Sequence, residues 1–317
     1  AACSGPSKPV PKHLAANIGL IGVETAWTAQ VGPFDGGVQA NVVGAQVLLA
    51  SANGTVTALQ GETGLVAWQL DVGAPLVSGV GGDGQTFAAV SESGELIALT
   101  SGKVLWRQRL GALSLTTPLV AGARIFTLSA DRTVTAFDAA SGQRIWQLQR
   151  SSDPLVLGQA GVLIAVGDTL VVGVAGRLLG LNPLNGASRW EVPVAVSRGT
   201  NEVERLVDLV AGVSRMQTQV CVRSYQAAVA CVDASKGTVL WNKAAAGTTG
   251  LAGDADYVFG TEVDSKLMAW SRSSGERLWV SEALRWRGLG TPLVAGQTLV
   301  VGDSAGLLHF LSRTDGA

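Results

Sequence analysis

Residues 136–146 of this chain read Ala-Phe-Asp-Ala-Ala-Ser-Gly-Gln-Arg-Ile-Trp, and the final Gly-x-x-x-Trp of this stretch recurs along the sequence. The pattern occurs at Gly64–Trp68, Gly102–Trp106, Gly142–Trp146, Gly186–Trp190, Gly237–Trp241 and Gly275–Trp279. Neighbouring tryptophans of this series are 38 to 51 residues apart, and Trp27 precedes the first of them by 41 residues. Repeats of this length indicate one structural unit copied several times, each copy needing its neighbours to bury its apolar residues.

Each copy contains four short segments that favour β-strands. In the copy between Thr117 and Trp146 these segments are residues 118–120, 124–129, 133–138 and 143–148, separated by turns rich in Gly, Asp and Ser. Four such strands in succession form an antiparallel meander, and four-stranded units of this period are propeller blades. We therefore predict an all-β fold, a β-propeller of four-stranded antiparallel blades. We expect each tryptophan to be buried between neighbouring blades, and each preceding glycine to allow a tight turn.

The sequence is compatible with two numbers of blades. Seven units supply the first three strands of a blade, and Trp27 belongs to a fourth strand that has no preceding partners. Either the Trp27 strand closes a seven-bladed ring, or the sequence lacks the end of an eight-bladed one. Joining strands from the two ends of the chain would remove exposed sheet edges in both arrangements. We assign residues 23–317 to a single propeller domain and residues 1–22 to a separate segment.

The first residues have the pattern of a processed bacterial lipoprotein. Ala1-Ala2-Cys3 matches the end of a lipoprotein signal, and a polar, proline-rich stretch follows up to Pro11. We expect lipidation of Cys3 and a flexible tether within residues 1–22. Ser4 after the cysteine favours the outer membrane under the bacterial sorting rule. The alternative is a chance terminal cysteine.

Composition excludes several classes of function. Lys and Arg number 23 and Asp and Glu number 24, giving a net charge of −1 with no basic run, so nucleic-acid binding is not expected. The only histidines are His13 and His309, which disfavours most hydrolase and metalloenzyme mechanisms. No apolar stretch reaches the roughly twenty residues of a membrane-spanning helix. We expect no cofactor and no metal.

The repeat resembles the quinoprotein-type propeller repeat, whose core is Ala-Leu-Asp-x-x-Thr-Gly-x-x-x-Trp. Within that superfamily the chain is similar to the BamB family of lipoproteins. The similarity rests on the lipobox and tether, the entry Thr25-Ala26-Trp27, the segment 291–309, and residues 201–208, Asn-Glu-Val-Glu-Arg-Leu-Val-Asp, which match a Glu-x-x-Arg-x-x-Asp stretch.

This resemblance implies eight blades, with about forty C-terminal residues absent from this sequence. It also implies a non-catalytic scaffold of the outer-membrane β-barrel assembly machinery. Such a scaffold would be lipid-anchored at the periplasmic face of the outer membrane of a Gram-negative bacterium. It would bind the periplasmic domains of BamA, the barrel-forming subunit, and aid the folding of outer-membrane β-barrel precursors.

The longest interval between tryptophans, from Trp190 to Trp241, contains a charged insertion at residues 196–217. A charged insertion on a rigid scaffold is an expected binding site, and the alternative is a solvated loop. By the resemblance, this region and an apolar stretch one blade earlier face BamA, which makes Leu155, Leu157, Arg205 and Asp208 the candidate contacts. Two family residues are missing: an Arg after the second leucine is Gly158 here, and a second Asp is Val210. The leucines have a buried strand face as their alternative.

Two cysteines lie on consecutive segments of one predicted hairpin. Cys221 and Cys231 are ten residues apart, with a turn near residues 225–228, so they can lie opposite each other. An oxidising periplasm would permit a disulfide, although a register shift of one residue would separate the side chains. The alternative is two buried thiols.

Two other functions compete with the scaffold. A quinone-dependent dehydrogenase would need adjacent cysteines and a calcium-ligating set, and no two cysteines are adjacent here. A propeller that binds a saccharide or peptide in its central channel would need carboxylates and aromatics there. The chain has only six Phe and two Tyr, which leaves few rings for stacking on a sugar.

Overall fold

The computed structural model describes residues 9–16, 19, 21–33, 40–150, 155–196 and 206–317. Within these ranges the chain forms strands, turns and irregular segments but no helix, and hence none that could span a membrane. The chain divides into two compact units. The larger unit comprises residues 24–211 and 234–237, and the smaller comprises residues 1–23, 212–233 and 238–317.

The larger unit contains four antiparallel sheets, each a meander of four strands. The strands of sheet 1 are β1 (Asn41–Val43), β2 (Gln46–Ala50), β3 (Thr55–Gln60) and β4 (Val66–Asp71). Those of sheet 2 are β5 (Gly81–Gly82), β6 (Phe87–Val90), β7 (Glu95–Leu99) and β8 (Val104–Arg109). Those of sheet 3 are β9 (Leu119–Ala121), β10 (Arg124–Leu128), β11 (Thr133–Asp138) and β12 (Arg144–Gln149). Those of sheet 4 are β13 (Leu163–Val166), β14 (Thr169–Val174), β15 (Arg177–Leu181) and β16 (Ser188–Pro193).

Three further sheets follow in the sequence. Sheet 5 contains β17 (Leu209–Met216), β18 (Gln219–Ser224), β19 (Ala228–Asp233) and β20 (Thr238–Ala244). Sheet 6 contains β21 (Leu251–Gly253), β22 (Tyr257–Thr261), β23 (Leu267–Ser271) and β24 (Arg277–Ser281). Sheet 7 has three strands in the described residues: β25 (Leu293–Ala295), β26 (Thr298–Gly302) and β27 (Leu308–Ser312). The all-β class and the four-stranded meander predicted for residues 117–146 are confirmed.

Sheets 2, 3 and 6 each pack between two other sheets, so their strands are apolar on both faces. On sheet 2, Phe87 and Ile97 pack against sheet 1, whereas Val90 and Leu96 point the opposite way and pack against sheet 3. Side chains alternate between the two faces of a strand, so neighbouring residues serve different cores. The larger unit thus has a core between each two consecutive sheets from sheet 1 to sheet 4, and the smaller unit has cores between sheets 5 and 6 and between sheets 6 and 7, as in a propeller.

The repeated tryptophan lies opposite a small residue and against the glycine of the next repeat. On sheet 3, Ala136 is the cross-strand partner of Trp146, with a bulge directly after it. Gly142 has a φ of +73°, and a Cβ there would lie 2.7 Å from Cδ2 of Trp106 in the preceding sheet. The same contact joins Trp27 to Gly64, Trp146 to Gly186, Trp190 to Gly237, Trp241 to Gly275 and Trp279 to Gly316. The motif is thus a contact between blades as well as a turn.

The tryptophans are less buried than we expected. Trp241 is 7% exposed, whereas the other tryptophans of the series and Trp27 are half-buried. Each indole that lies on a glycine of the next repeat also donates a hydrogen bond from Nε1 to a backbone carbonyl, as Trp106 does to Ala139 (2.9 Å). An indole that retains a polar partner at the sheet edge is stable without full burial.

One repeat departs from this arrangement. The turn that contains Gly102 is two residues shorter than the one that contains Gly142, counted from the alanine that faces the tryptophan. Gly102 is therefore not in the left-handed conformation, and a Cβ there would meet no atom within 4 Å. Trp68, the tryptophan one sheet earlier, instead donates to Oε1 of Gln46 (3.4 Å) and packs on Phe87.

The N-terminal residues differ in part from the predicted tether and closing strand. Residues 21–33 form no strand, although Trp27 packs on Gly64 and its Nε1 donates to the Gly61 carbonyl (3.0 Å). In the smaller unit, the Lys12 backbone N–H donates to the carbonyl of Arg285 (2.9 Å). This part of the segment 1–22 is therefore held against the protein, whereas Cys3 lies outside the described residues.

Candidate partner-binding site

The two candidate leucines lie on an irregular segment between sheets 3 and 4. Leu155 and Leu157 follow β12 and precede β13, and both are half-buried. Neither belongs to a strand, so their interpretation as a buried strand face is wrong. Since no sheet pairing fixes this segment, other contacts must hold it in place.

Those contacts come from Arg132 and Asp208, which are both in the larger unit. Nη2 of Arg132 lies 3.2 Å from Oδ1 and 3.4 Å from Oδ2 of Asp208, and it also donates to the carbonyl of Leu155 (3.2 Å). The backbone N–H of Leu157 donates to Oδ2 of Asp208 (3.1 Å). The side chains of Arg132 and Asp208 are only 10% and 18% exposed. One ion pair therefore fixes the segment at both leucines.

Arg132 occupies a turn position at which other repeats carry glycine. Its φ is 63°, and the matching positions hold Gly54, Gly94 and Gly306, with φ values of 95°, 79° and 82°. The left-handed conformation costs a non-glycine residue about 1 kcal/mol or more. Sequence reasoning missed Arg132, although an arginine at a glycine position of the repeat is visible in the sequence alone.

The structure uses Asp208 differently from our expectation that it would face a partner. Its carboxylate is hydrogen-bonded within the chain to Arg132 and to the backbone of Leu157, and it thereby holds the segment in place. Arg205 lies outside the described residues. Gly158, at the position where the resemblance predicts an Arg, is exposed, and Val210, at the position where it predicts a second Asp, is 1% exposed in β17.

A groove lies beside this segment in the larger unit. Its volume is about 250 Å³, and its lining includes Leu113, Leu115, Leu128, Leu157 and Leu209. We call it the leucine groove. Leu128 and Leu209 are buried and form its floor, whereas Leu113 is 37% exposed at its rim. The groove and the two candidate leucines form one continuous surface, because Leu157 belongs to both.

The smaller unit contains the predicted cysteine pair. Cys221 on β18 is the direct cross-strand partner of Cys231 on β19. The Cα atoms are 3.9 Å apart, and the sulfur atoms are at bonding distance as a disulfide. Both cysteines are fully buried. The register is the one that allows the predicted bridge.

The turn after β26 contains a buried carboxylate with an arginine and a histidine as partners. Asp303 accepts hydrogen bonds from Nε of Arg287 (2.7 Å) and from the backbone N–H groups of Ala305 (2.9 Å) and Leu307 (3.0 Å), and Nε2 of His309 lies 2.9 Å away. Burial alone would raise the pKa of Asp303, but these hydrogen bonds together hold its pKa well below the usual range. The arrangement closes the turn between β26 and β27.

No metal centre emerges from the described part of the chain. No group of three or more His, Cys, Asp or Glu side chains there is arranged to hold a metal ion. Six of the tryptophans pack on glycines of the following repeat, and Trp68 packs on Phe87 instead. Of the predicted partner contacts, Leu155, Leu157 and Asp208 lie together, and they define the candidate site.

Comparisons with known proteins identify the family of this chain. A family model described as "Outer membrane protein assembly factor BamB" matches residues 52–281. The chain is 33% identical to outer membrane protein assembly factor BamB of Bordetella pertussis, over 96% of this chain and 80% of the relative. It is 32% identical to BamB of Burkholderia pseudomallei, over 100% of this chain and 84% of the relative.

A solved structure supports the same family. The crystal structure of BamB from Moraxella catarrhalis matches with a TM-score of 0.80 and 27% identity, over 90% of this chain and 88% of that one. The predicted β-propeller is thereby confirmed. The relatives are named as outer membrane protein assembly factors, and these names describe no catalytic activity. This chain belongs to the BamB family of outer membrane protein assembly factors.

Proposed function

We propose that this protein is a scaffold in the assembly of outer-membrane β-barrel proteins and that it binds the periplasmic domains of BamA. The proposal rests on the segment at Leu155 and Leu157. This segment is half-buried, lies outside any strand, and is held in place by hydrogen bonds to the Arg132–Asp208 pair. A rigid apolar segment loses little conformational entropy on binding, which favours a stable interface.

The roles of Leu155, Leu157 and Asp208 follow from their surroundings. Leu155 and Leu157 supply apolar contact, and Arg205, which lies outside the described residues, supplies a charged group to the partner. Asp208 acts through the segment that it holds, since its carboxylate is already engaged. Energy at protein interfaces is concentrated in a few such residues, which typically cost about 1–3 kcal/mol each when truncated.

The proposal includes a lipid anchor at Cys3 and a location at the periplasmic face of the outer membrane. It rests on the Ala-Ala-Cys motif and the polar, proline-rich stretch that follows. Cys3→Ser should release the protein from the membrane fraction of a Gram-negative host, and retention of the variant in that fraction would contradict the anchor.

Binding to the purified periplasmic domains of BamA, measured by titration calorimetry, tests the main proposal. The double variant Leu155→Ala/Leu157→Ala should bind about tenfold or more weakly, as expected for two interface contacts. Leu65 and Leu184 are exposed leucines on turns of sheets 1 and 4, and their double alanine variant is the matched control. No binding by the parent, or equal binding by parent and Leu155→Ala/Leu157→Ala, would contradict the proposal.

Arg205→Ala tests the charged contact separately. A charge that attracts the partner chiefly raises the association rate, so the variant should associate with BamA more slowly, and the difference should shrink at high salt. An unchanged association rate at low salt would remove Arg205 from the interface.

A further inference from the structure

We propose that an exposed apolar patch of the smaller unit lies in the headgroup region of the membrane that holds the lipid anchor. The patch consists of Val10, Leu14 and Trp286, which are 78%, 44% and 38% exposed. We call it the tryptophan patch. The inference rests on the proposed function in one respect, because the anchor at Cys3 specifies which membrane the patch meets.

The patch is formed where the N-terminal segment meets the loop after β24. The backbone N–H of Lys12 donates to the carbonyl of Arg285 (2.9 Å), and Nη1 of Arg287 donates to the carbonyl of Lys12 (3.3 Å). Both apolar residues of the segment are two positions from Lys12, a distance of about 7 Å at most. They therefore lie beside the loop that carries Trp286, the residue between the two arginines.

The backbone at Trp286 is fixed although its side chain is exposed. Its φ is 60°, in the left-handed region that bulky residues rarely adopt. The N–H of Trp286 donates to the carbonyl of Asp264 (3.0 Å), and the N–H of Gly288 donates to Oγ of Ser265 (3.0 Å). These bonds hold the loop, so the exposed indole is a fixed feature of the surface. An unfavourable conformation that its surroundings enforce often belongs to a functional position.

The indole of Trp286 retains an unused donor. Trp286 is outside the Gly-x-x-x-Trp series, and among the described residues its Nε1 finds no acceptor. By contrast, Nε1 of Trp279 donates to the carbonyl of Arg313 (3.0 Å). An indole with a free N–H is favoured at the boundary between hydrocarbon and headgroups, where the ring leaves water and the N–H finds an oxygen.

The charge of the N-terminal segment fits a membrane surface. Residues 1–22 contain Lys8 and Lys12 but no Asp or Glu, in a chain whose net charge is −1. Lysines close to a membrane are attracted to anionic headgroups. The segment thus combines two cations with the exposed Val10 and Leu14, the composition expected of a segment that lies in the membrane interface.

The length of the segment keeps the patch close to the anchor. Lys12 follows Cys3 by nine residues, and nine residues span at most about 30 Å when fully extended. Because Lys12 is hydrogen-bonded to the loop of Trp286, the patch stays within this distance of the lipid-bearing cysteine. A surface tethered at so short a distance meets the membrane at a high effective concentration. We therefore assign the patch to lipid and not to a protein partner.

A lipid titration of the full chain carrying Cys3→Ser tests the patch without the anchor. We expect this protein to bind vesicles of phosphatidylethanolamine and phosphatidylglycerol reversibly, too weakly to remain in a washed membrane fraction. Adding Trp286→Asn should weaken vesicle binding about tenfold, because the apolar area of one indole is no longer buried. Asparagine tolerates the left-handed conformation, so this variant should keep the fold. Leu184→Asn is the matched control, since Leu184 is 59% exposed on a turn of sheet 4, and it should leave vesicle binding unchanged.

Fluorescence of the lipidated protein tests the patch with the anchor in place. On vesicles that contain brominated phosphatidylcholine, part of the tryptophan fluorescence should be quenched, and Trp286→Phe should remove most of that part. An unchanged quenched part would overturn the patch.

The vesicle titration has further outcomes that would overturn the patch. They are no binding by the Cys3→Ser protein, or equal binding with and without Trp286→Asn. Weaker binding of Trp286→Asn to BamA, with vesicle binding unchanged, would assign the patch to a protein contact instead. Retention of Cys3→Ser in the membrane fraction, or no binding of the parent to BamA, would contradict the proposed function, whereas the vesicle titration would still decide the patch.

Discussion

Arg132 and Asp208 form a largely buried ion pair across 76 residues of sequence, and this pair holds the segment at Leu155 and Leu157. The arginine lies on the turn between β10 and β11, and the aspartate immediately precedes β17. Each partner also bonds the backbone of the segment, at the Leu155 carbonyl and the Leu157 N–H. The proposed partner-binding surface is thus supported by a contact between two distant repeats.

Removing the arginine should destabilise the protein. Arg132→Ala leaves the Asp208 carboxylate without its cation, which costs about 3–5 kcal/mol in a fully buried pair. Partial exposure of both side chains reduces the expected loss of unfolding free energy to about 2–3 kcal/mol. Urea unfolding measures it. The control is Arg177→Ala, whose side chain is 45% exposed and which should cost below about 1 kcal/mol.

Arg132→Gly separates the ion pair from the backbone strain. Glycine loses the pair but relieves the left-handed conformation at φ 63°, so it should be about 1 kcal/mol more stable than Arg132→Ala. A glycine variant less stable than the alanine variant would show that strain at this position is not significant.

The contact between Gly142 and Trp106 predicts a large cost for a single methyl group. Gly142→Ala forces alanine into φ +73° and places its Cβ against the indole, so we expect a loss of about 2–4 kcal/mol of unfolding free energy. Gly102→Ala is the matched control in the neighbouring repeat. It has neither constraint and should be neutral or stabilising by up to about 1 kcal/mol. Equal losses at both positions, measured by urea unfolding, would contradict the packing role of Gly142.

The blades could be predicted from sequence because their determinants are local and repeated. The small residue opposite each tryptophan and the glycine of the next turn recur at fixed spacing, as Ala136 and Gly142 illustrate. The half-exposure of the tryptophans could not be predicted, since the exposed fraction of each indole depends on how far the outer strand of its sheet extends past the neighbouring sheet. Trp68 donates to Gln46, and not to a backbone carbonyl, because the turn at Gly102 is short. The motif spacing alone does not identify Gln46 as the partner.

The site was predictable only in part. The resemblance pointed to Leu155, Leu157 and Asp208, and the structure brings these three together. Motif spacing cannot tell whether a carboxylate points outward to a partner or inward to an arginine from another repeat. Arg132 could have been found by comparing the repeats, because it replaces Gly54, Gly94 and Gly306 at the matching turn position.

Asp303 predicts an acid-dependent loss of stability. Its pKa is lowered in the folded protein, so its contribution is fully present above the unfolded-state pKa of about 3.9 and is lost as the pH falls from there toward the folded value. Asp303→Asn removes the charge that Arg287 and His309 surround. The variant should be less stable at neutral pH by roughly 3 kcal/mol.

The shape of the pH dependence makes this test specific. Below about pH 4 the parent should lose stability more steeply than Asp303→Asn, so the two unfolding free energies should converge as the pH falls. Unfolding measured in urea at several pH values gives both curves. Parallel curves over this range would mean that Asp303 has no lowered pKa in the folded protein.

The pair Cys221 and Cys231 predicts a measurable covalent bridge. The residues face each other directly on β18 and β19, and both are fully buried. Protein isolated from an oxidising compartment should be lighter by two hydrogen atoms than its reduced form in an intact-mass measurement. Closing a loop of ten residues restricts the unfolded chain, so reduction should lower the unfolding free energy by about 2–3 kcal/mol. Cys221→Ala/Cys231→Ala is the control, because its unfolding should not respond to reductant. Two thiols that react with an alkylating agent after denaturation without reductant would show that the pair remains unbridged.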